Sequence, residues 1–168
     1  ADVGAILNAL SFRNTGDNPT AGGSDLNRQY SIVVNDGGNG GGAGLDSNAL
    51  SGTLTVVGQN DAPVLSGTLT NGTATESGTG TNTVSLVSGA VVSDADGTSF
   101  GGGSIRVSFT DGYQAGDVLS VTGAPAGVAS VTGGAAGALT ITLLGTAAAA
   151  DVGAILNALS FRSSASDP

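Results

Sequence analysis

Short runs in which apolar and polar residues alternate recur along most of the chain. In Ile105–Thr110 and Leu139–Leu143, every second residue is a large aliphatic or aromatic one. Such alternation is typical of a strand with one face against a core and the other in solvent. The same pattern, rich in the strand-favouring residues Thr and Val, predicts further strands at 29–35, 53–56, 64–70, 83–92, 117–121 and 128–132.

Glycine-rich turns separate these runs, for example at Asp96-Gly97, Gly101–Gly103 and Gly133-Gly134. Strands that follow one another about every ten residues, with turn signals between them, are typical of an antiparallel sandwich. We therefore predict an all-β fold, an antiparallel β-sandwich.

One segment near the C-terminal end has a helical period instead. Its apolar residues fall at i, i+3, i+4 and i+7, on one face of a helix, and are Val152, Ile155, Leu156 and Leu159. Thr146 is a suitable N-cap. We predict a short helix from this cap to Leu159 that crosses over the sandwich, followed by a short strand at 160–162.

The same segment occurs twice. Residues 1–13 and 150–162 both read ADVGAILNALSFR, at an offset of 150 − 1 = 149 residues. Because thirteen identical residues in one register do not recur by chance, the chain contains parts of two tandem repeats. A period this long predicts whole domains in a row rather than a solenoid. The first copy is expected to form the C-terminal part of the same helix, without its cap.

The boundary between the two repeats is predicted at the sequence Asn60-Asp61-Ala62-Pro63. Pro63 ends one strand pattern and begins another, as expected of a residue that cannot donate to a ladder. We assign residues 1–60 to the C-terminal part of one repeat and residues 61–168 to the N-terminal part of the next. Neither part is a complete repeat.

Composition excludes several classes of function. The 168 residues include 4 basic and 13 acidic ones, a net charge of −9, and there is no Lys, His, Cys, Met or Trp. A protein that binds nucleic acids or anionic lipids requires clustered basic residues. The common nucleophile–base pairs of enzymes, zinc sites and phosphate-binding loops require His, Cys or Lys. No run of 18 apolar residues predicts a membrane span. We expect no enzymatic activity, no nucleic-acid partner and no membrane insertion.

The segment Ser93–Gly97 carries the clearest candidate chemistry. Asp94 and Asp96 can bind one Ca²⁺ from a loop, because Ca²⁺ prefers six to eight oxygen ligands; the alternative is an Asx-type turn before Gly97. One strand leading away from the boundary and a second strand returning to it would bring both carboxylates to Asn60 and Asp61. We predict a calcium site formed by these four residues.

Three other acidic positions leave alternatives open. Glu76, the only Glu, lies between the outgoing and returning strands, where it either binds calcium at the next junction or is a solvated loop residue. Asp36 either serves the site of the preceding repeat or closes a turn with Gly37, which we favour. Gly41–Asp46 matches the start of a calcium-binding β-roll repeat, but a single copy favours a glycine-rich hairpin loop.

A longer series of segments resembles a known family. The segments are NDAPVLSGT from Asn60, TATESG around Glu76, VVSDADGTSFGGGSIRVSFTDGYQAGDVLSV from Val91, and YSIVVNDGG from Tyr30. Together they resemble the cadherin-like, immunoglobulin-like tandem repeats of large bacterial surface adhesins, of the RTX-adhesin or Bap-like kind. Within them, Asn60–Pro63 and Asp94–Asp96 look like the inter-domain calcium linker and the DxD motif of cadherin-type repeats. The resemblance implies an Ig-like sandwich in an extracellular stalk, stiffened by Ca²⁺ and exported by a dedicated secretion route.

Three functions are compatible with these observations. The favoured one is a non-catalytic structural repeat of a cell-surface adhesin or fibre, whose partners are neighbouring repeats or copies of itself in a linear array. The alternative is a subunit of an extracellular filament or surface layer, in which a neighbouring copy supplies missing strands. A carbohydrate-binding module is disfavoured because the six aromatic residues include no Trp.

Overall fold

The computed structural model describes residues 2–76 and 80–165. The chain divides into two compact units, Ala1–Asp61 (unit 1) and Ala62–Pro168 (unit 2). This boundary lies one residue after the predicted one. That the two units are parts of successive repeats stays a prediction.

Unit 1 contains one helix and one β-hairpin. Helix α1 spans Val3–Asn8, strand β1 spans Asn27–Ile32 and strand β2 spans Leu50–Thr55; the two strands pair antiparallel over their whole length. The expectation that α1 lacks a cap is wrong. Asp2 is its N-cap and accepts the Gly4 N–H at 2.9 Å.

Residues 2–61 of unit 1 form no hydrophobic core. Among residues 2–61, no hydrophobic side chain is buried, and Thr20 is the buried residue of this part of the chain. A two-stranded hairpin without a second layer is at best marginally stable in water. The hairpin therefore requires a covering layer that the described residues of unit 1 do not complete.

Unit 2 is rich in antiparallel strands, as predicted. Its elements in chain order are β3 (Val64–Leu69), β4 (Val84–Ser85), β5 (Val87–Ser93), β6 (Ser104–Ser108), β7 (Asp117–Val121), β8 (Ala129–Gly133), β9 (Ala138–Leu143), α2 (Ala149–Asn157) and β10 (Leu159–Ser163). They form three antiparallel sheets, with strand orders β3-β5, β6-β9-β8 and β4-β10-β7.

The run predicted as one strand at 83–92 is divided between two sheets. Leu86 lies at the crossing point: its N–H donates to the Leu159 carbonyl of β10 at 3.0 Å, and its own carbonyl accepts the Thr70 N–H at 2.9 Å. The chain thus leaves β10 after β4 and joins β3 as β5. The alternating pattern did not predict this change because it continues through the crossing.

The core of unit 2 draws on strands of all three sheets and on α2. Its buried side chains are Ala90, Val92, Leu119, Leu139, Ile141, Leu143, Ala147, Val152, Ile155, Leu156 and Leu159. All three sheets and the helix therefore share one apolar cluster. The helix predicted from its period is present and its apolar face is buried.

Helix α2 begins later than predicted. Its N-cap is Ala148, and Asp151 in the first turn accepts the Ala148 N–H at 2.9 Å. Thr146 instead donates its hydroxyl to the Gly127 carbonyl at 3.4 Å. A carboxylate in the first turn both satisfies this N–H and complements the helix dipole, so Asp151 takes over the role predicted for Thr146. The helix ends at Asn157, and Leu159 belongs to β10.

The two copies of the repeat provide a matched test of the core. Ile155→Ala is expected to lower the free energy of unfolding of unit 2 by about 2–5 kcal/mol, because Ile155 is fully buried. Ile6→Ala, at the equivalent position of the exposed first copy, should change stability by less than about 0.5 kcal/mol. Urea unfolding of both variants, followed by circular dichroism, measures the difference. Equal losses would contradict this assignment of the core.

Candidate calcium junction and the repeated segment

The DxD loop lies at one end of the β3–β5 ladder. Val64, the first residue of β3, pairs with Ser93, the last residue of β5. Asp94 therefore comes directly after the residue that pairs with the start of β3. The outgoing and returning strands on which the calcium prediction depends are present in the structure.

Within the loop, Asp94 forms an Asx turn. Its Oδ1 accepts the Asp96 N–H at 2.9 Å, and both residues are half-buried. The turn engages one oxygen of the Asp94 carboxylate, whereas metal binding can use the other. The two alternatives considered for this segment are therefore compatible.

The remaining predicted ligands lie elsewhere in the chain. Asn60 and Asp61 end unit 1, and both are exposed; the Asn60 side-chain amide donates to the Asp61 carbonyl at 2.9 Å. Glu76 is exposed and its backbone forms an isolated antiparallel bridge with Thr81. Across the described ranges, no three acidic residues are grouped closely enough to hold a metal ion. The calcium site stays a prediction.

Asp36 closes a glycine-rich hairpin loop. Its Oδ1 accepts the N–H groups of Leu45 at 2.8 Å and Gly38 at 3.0 Å, and these bonds lower the pKa of its carboxyl, the Leu45 bond most. Next to it, the Asn35 amide donates to Asp46 Oδ1 at 2.7 Å. The structure thus shows the turn interpretation of Asp36 and the hairpin-loop interpretation of the Gly41–Asp46 segment.

This loop should be sensitive to acid. Because the pKa of Asp36 is lowered on folding, its bonds stabilise the loop fully above the ordinary value of 3.8 and are lost as the pH falls through the folded-state pKa. The amide proton shifts of Gly38 and Leu45, followed by NMR, should titrate with a midpoint below 3.8. Asp36→Asn should abolish this titration. A midpoint at or above the ordinary value would contradict the bonding described.

Residues 3–8 and the equivalent residues 152–157 of the repeated segment are helical in both copies, but they lie in two different environments. In unit 2, Val152, Ile155 and Leu159 are 4%, 0% and 3% exposed, whereas their equivalents in the first copy, Val3, Ile6 and Leu10, are 53%, 56% and 60% exposed. Since the two sequences are identical, the difference comes from what surrounds them. The strand that follows α2 also has no counterpart after α1, where the described residues between Asn8 and Asn27 contain no strand.

A polar clasp holds α2 on β5. Asn157 Oδ1 accepts the Ala90 N–H at 2.9 Å, and its amide donates to the Ala90 carbonyl at 3.2 Å and to the Gly153 carbonyl at 2.8 Å. A Cβ on Gly153 would lie 3.1 Å from the Ala90 carbonyl oxygen, so a glycine allows the helix this close to the strand.

The clasp coincides with a β-bulge. Two residues of β5, Gly89 and Ala90, lie opposite one residue of β3, Gly67, and Gly89 has a φ of 62°. A bulge takes backbone groups out of the ladder, and the Asn157 amide satisfies those of Ala90. Sequence reasoning missed both Gly153 and Asn157. The available signal was a pair of poor helix formers, four residues apart, inside a helix.

The clasp can be tested with a matched control. Asn157→Ala should destabilise unit 2 by about 1–3 kcal/mol, because it leaves buried backbone groups of Ala90 without a partner. Asn8→Ala, the same substitution in the exposed copy, should stay within about 0.5 kcal/mol of the parent chain. Thermal unfolding monitored by circular dichroism measures both. If the two variants melt alike, the clasp does not stabilise the fold.

Comparison with known proteins gives no relative. No protein-family model, no curated protein and no solved structure matches this chain. Within the described residues, neither helix has the length and apolar character needed to cross a bilayer.

Proposed function

We propose that the chain is part of a non-catalytic structural array. In this array, Ig-like, cadherin-like β-sandwich repeats build an extracellular bacterial adhesin or surface fibre, and calcium stiffens the junctions between repeats. The observation that carries the proposal is the thirteen-residue segment repeated without change. In its second copy, this segment supplies all but the first residue of helix α2 and all but the last residue of strand β10. The segment has this role in its second copy, and an array of domains would require such a segment in each of them.

The calcium part of the proposal rests on the chemistry of four residues. Asp94 and Asp96 follow β5 at the end of the ladder where β3 begins, and Asp61 precedes the first residue of β3 by three positions in the chain. With Asn60, they offer the hard oxygen ligands that Ca²⁺ prefers. Glu76, on the segment after β3, is proposed to serve the opposite end of its repeat. A bound Ca²⁺ would neutralise carboxylates that otherwise repel one another, and so would stiffen the junction.

The uncovered hairpin of unit 1 favours the alternative function. A filament or surface-layer subunit completed by a neighbouring copy would leave such a hairpin exposed until assembly. Electron microscopy of the native assembly distinguishes the two functions. Beads along one continuous polypeptide would support the adhesin, and separate associating subunits would support the filament.

Calcium binding can be measured on the full chain. We expect a dissociation constant of about 10⁻⁴–10⁻³ M, as in other extracellular modules. At ten times this concentration, the folded state gains about 1.4 kcal/mol. Asp94→Asn keeps an oxygen for the Asx turn but removes the charge, so it should abolish the gain, and Asp96→Asn should do the same. Glu76→Gln should remove binding at the other end of the repeat.

Asp46→Asn is the control, because Asp46 belongs to the glycine-rich loop. Calorimetry and melting curves in calcium and in EDTA measure the effect, and this variant should keep the calcium response of the parent chain. Identical curves in calcium and EDTA for the parent chain would overturn the calcium part of the proposal.

A further inference from the structure

The β1–β2 hairpin has one mainly apolar face and one polar face. Paired residues of a ladder lie on the same face, and the pairs Tyr30↔Gly52 and Ile32↔Leu50 belong to the apolar one. We call this the hairpin face; its apolar side chains are Leu26, Tyr30, Ile32, Leu50, Leu54 and Val56. The same face also carries Gly52 and Arg28, which lies opposite Leu54 and forms an ion pair with Asp25. The opposite face consists of Asn27, Gln29, Ser31, Ser51, Thr53 and Thr55.

The hairpin face is only partly covered. Leu26, Tyr30 and Leu50 are 45%, 54% and 64% exposed, and none of its other apolar residues is buried. The Tyr30 ring lies over Gly52, where a Cβ would meet it at 2.6 Å, so this ring fills the place of the missing side chain on its own face. A sheet face on which apolar side chains predominate needs a second layer. An exposed apolar patch of this kind marks an interaction site.

The repeated segment indicates what the second layer is. The hairpin follows the first copy of the segment, whereas the described strands of unit 2 other than β10 precede the second copy. A complete repeat therefore contains sheets like those of unit 2, then the segment, then a hairpin like β1–β2. The hairpin is thus built to cover sheets of the unit 2 type. A second copy of this chain carries such sheets.

We propose that the hairpin face of one copy docks on unit 2 of a second copy, against strand β3. All six residues of β3 are exposed, and among the described strands it pairs with β5 alone. Leu65 and Leu69, which we call the β3 face, are 63% and 76% exposed. Leu65 pairs with Val92, a buried core residue. The β3 face therefore lies on the core side of this sheet but is exposed to solvent.

Helix α1 takes no part in this contact. Its equivalent, α2, already fills the helix position in unit 2, where Ile155 and Leu156 are buried. The thirteen residues between Arg13 and Asn27 connect α1 to the hairpin, and this length of chain allows the hairpin to dock while α1 stays outside.

Charge does not drive the association. Unit 1 has 2 Arg and 6 Asp, a net charge of −4, and unit 2 has 2 Arg and 7 acidic residues, a net charge of −5. Two surfaces of like charge repel each other, and salt screens this repulsion. We therefore expect apolar side chains to provide most of the contact, and added salt to strengthen it.

The inference rests on the repeat organisation of the proposed function and not on its calcium sites, so it is tested in EDTA. Sedimentation velocity of the full chain at rising concentrations should show reversible self-association that strengthens with salt. Tyr30→Glu and Leu50→Glu should each weaken it by about 10-fold or more. Gln29→Glu and Ser51→Glu add the same charge at neighbouring positions of the polar face, and should leave it unchanged.

Substitutions on the two faces of β3 test in the same way whether this strand is the surface on which the hairpin docks. Leu65→Glu should weaken association by about 10-fold or more, while Ser66→Glu, on the other face of the strand, should not. Circular dichroism of each variant, compared with the parent chain, shows whether unit 2 still folds. If Leu65→Glu unfolds unit 2, Leu69→Glu at the far end of the same face gives the measurement instead.

A rearranged chain provides an independent test. Residues 62–163, which keep the whole of β10, followed directly by residues 15–61 contain the repeated segment once, and connect unit 2 to the hairpin in the order of a complete repeat. We expect this chain to be monomeric, with hairpin amides more protected from hydrogen exchange than in the parent chain.

Four results would overturn the inference. The first is a parent chain that stays monomeric at all protein and salt concentrations, and the second is an equal effect of substitutions on the two faces of the hairpin. The third is self-association that does not change in β3-face variants that still fold. The fourth is a rearranged chain whose hairpin amides are not protected from hydrogen exchange. Absence of a calcium response alone would overturn the calcium part of the proposed function and leave this inference standing.

Discussion

The packing of α2 on β5 is the contact on which the rest of unit 2 depends. The apolar face of the helix fills the centre of the core, and the Asn157 amide satisfies the backbone groups that the bulge at Ala90 removes from the ladder. An unpaired buried backbone group costs about as much as a lost hydrogen bond. The bulge and the helix therefore require each other. Because β10 begins two residues after the helix, this contact also positions the strand that joins β4 to β7.

Much of the fold could be predicted from local patterns. Alternation at a period of two residues predicted strands near their observed positions, and the spacing of Val152, Ile155 and Leu156 predicted the helix. Both periods report which side of an element is apolar, and this does not require knowledge of its neighbours. The division of the 83–92 run into β4 and β5 was missed, because nothing in the alternation changes where the chain passes between sheets.

The two copies of the repeat show why burial was harder to predict than secondary structure. Ile6 and Ile155 lie in identical sequences and in helices, yet one is exposed and the other is fully buried. Local sequence determines that the segment is helical, whereas the surrounding sheets determine whether it is covered. The Asn157 clasp is of the same kind, since its partner lies 67 residues away in the chain. For the candidate calcium site, the sequence predicted the pairing of the outgoing and returning strands. Whether the four predicted ligands come together depends on contacts between distant parts of the chain, which local patterns do not encode.

The unchanged repeat also has a consequence for how the chain folds. Two segments with the same residues compete for one helix position beside β5, and their contacts alone cannot distinguish them. Connectivity decides instead: α2 follows β9 after five residues, so its effective concentration at that position greatly exceeds that of α1. In an array of such repeats, every domain would meet this choice during synthesis. A short connection before the helix would then be the element that keeps each domain from folding with its neighbour's segment.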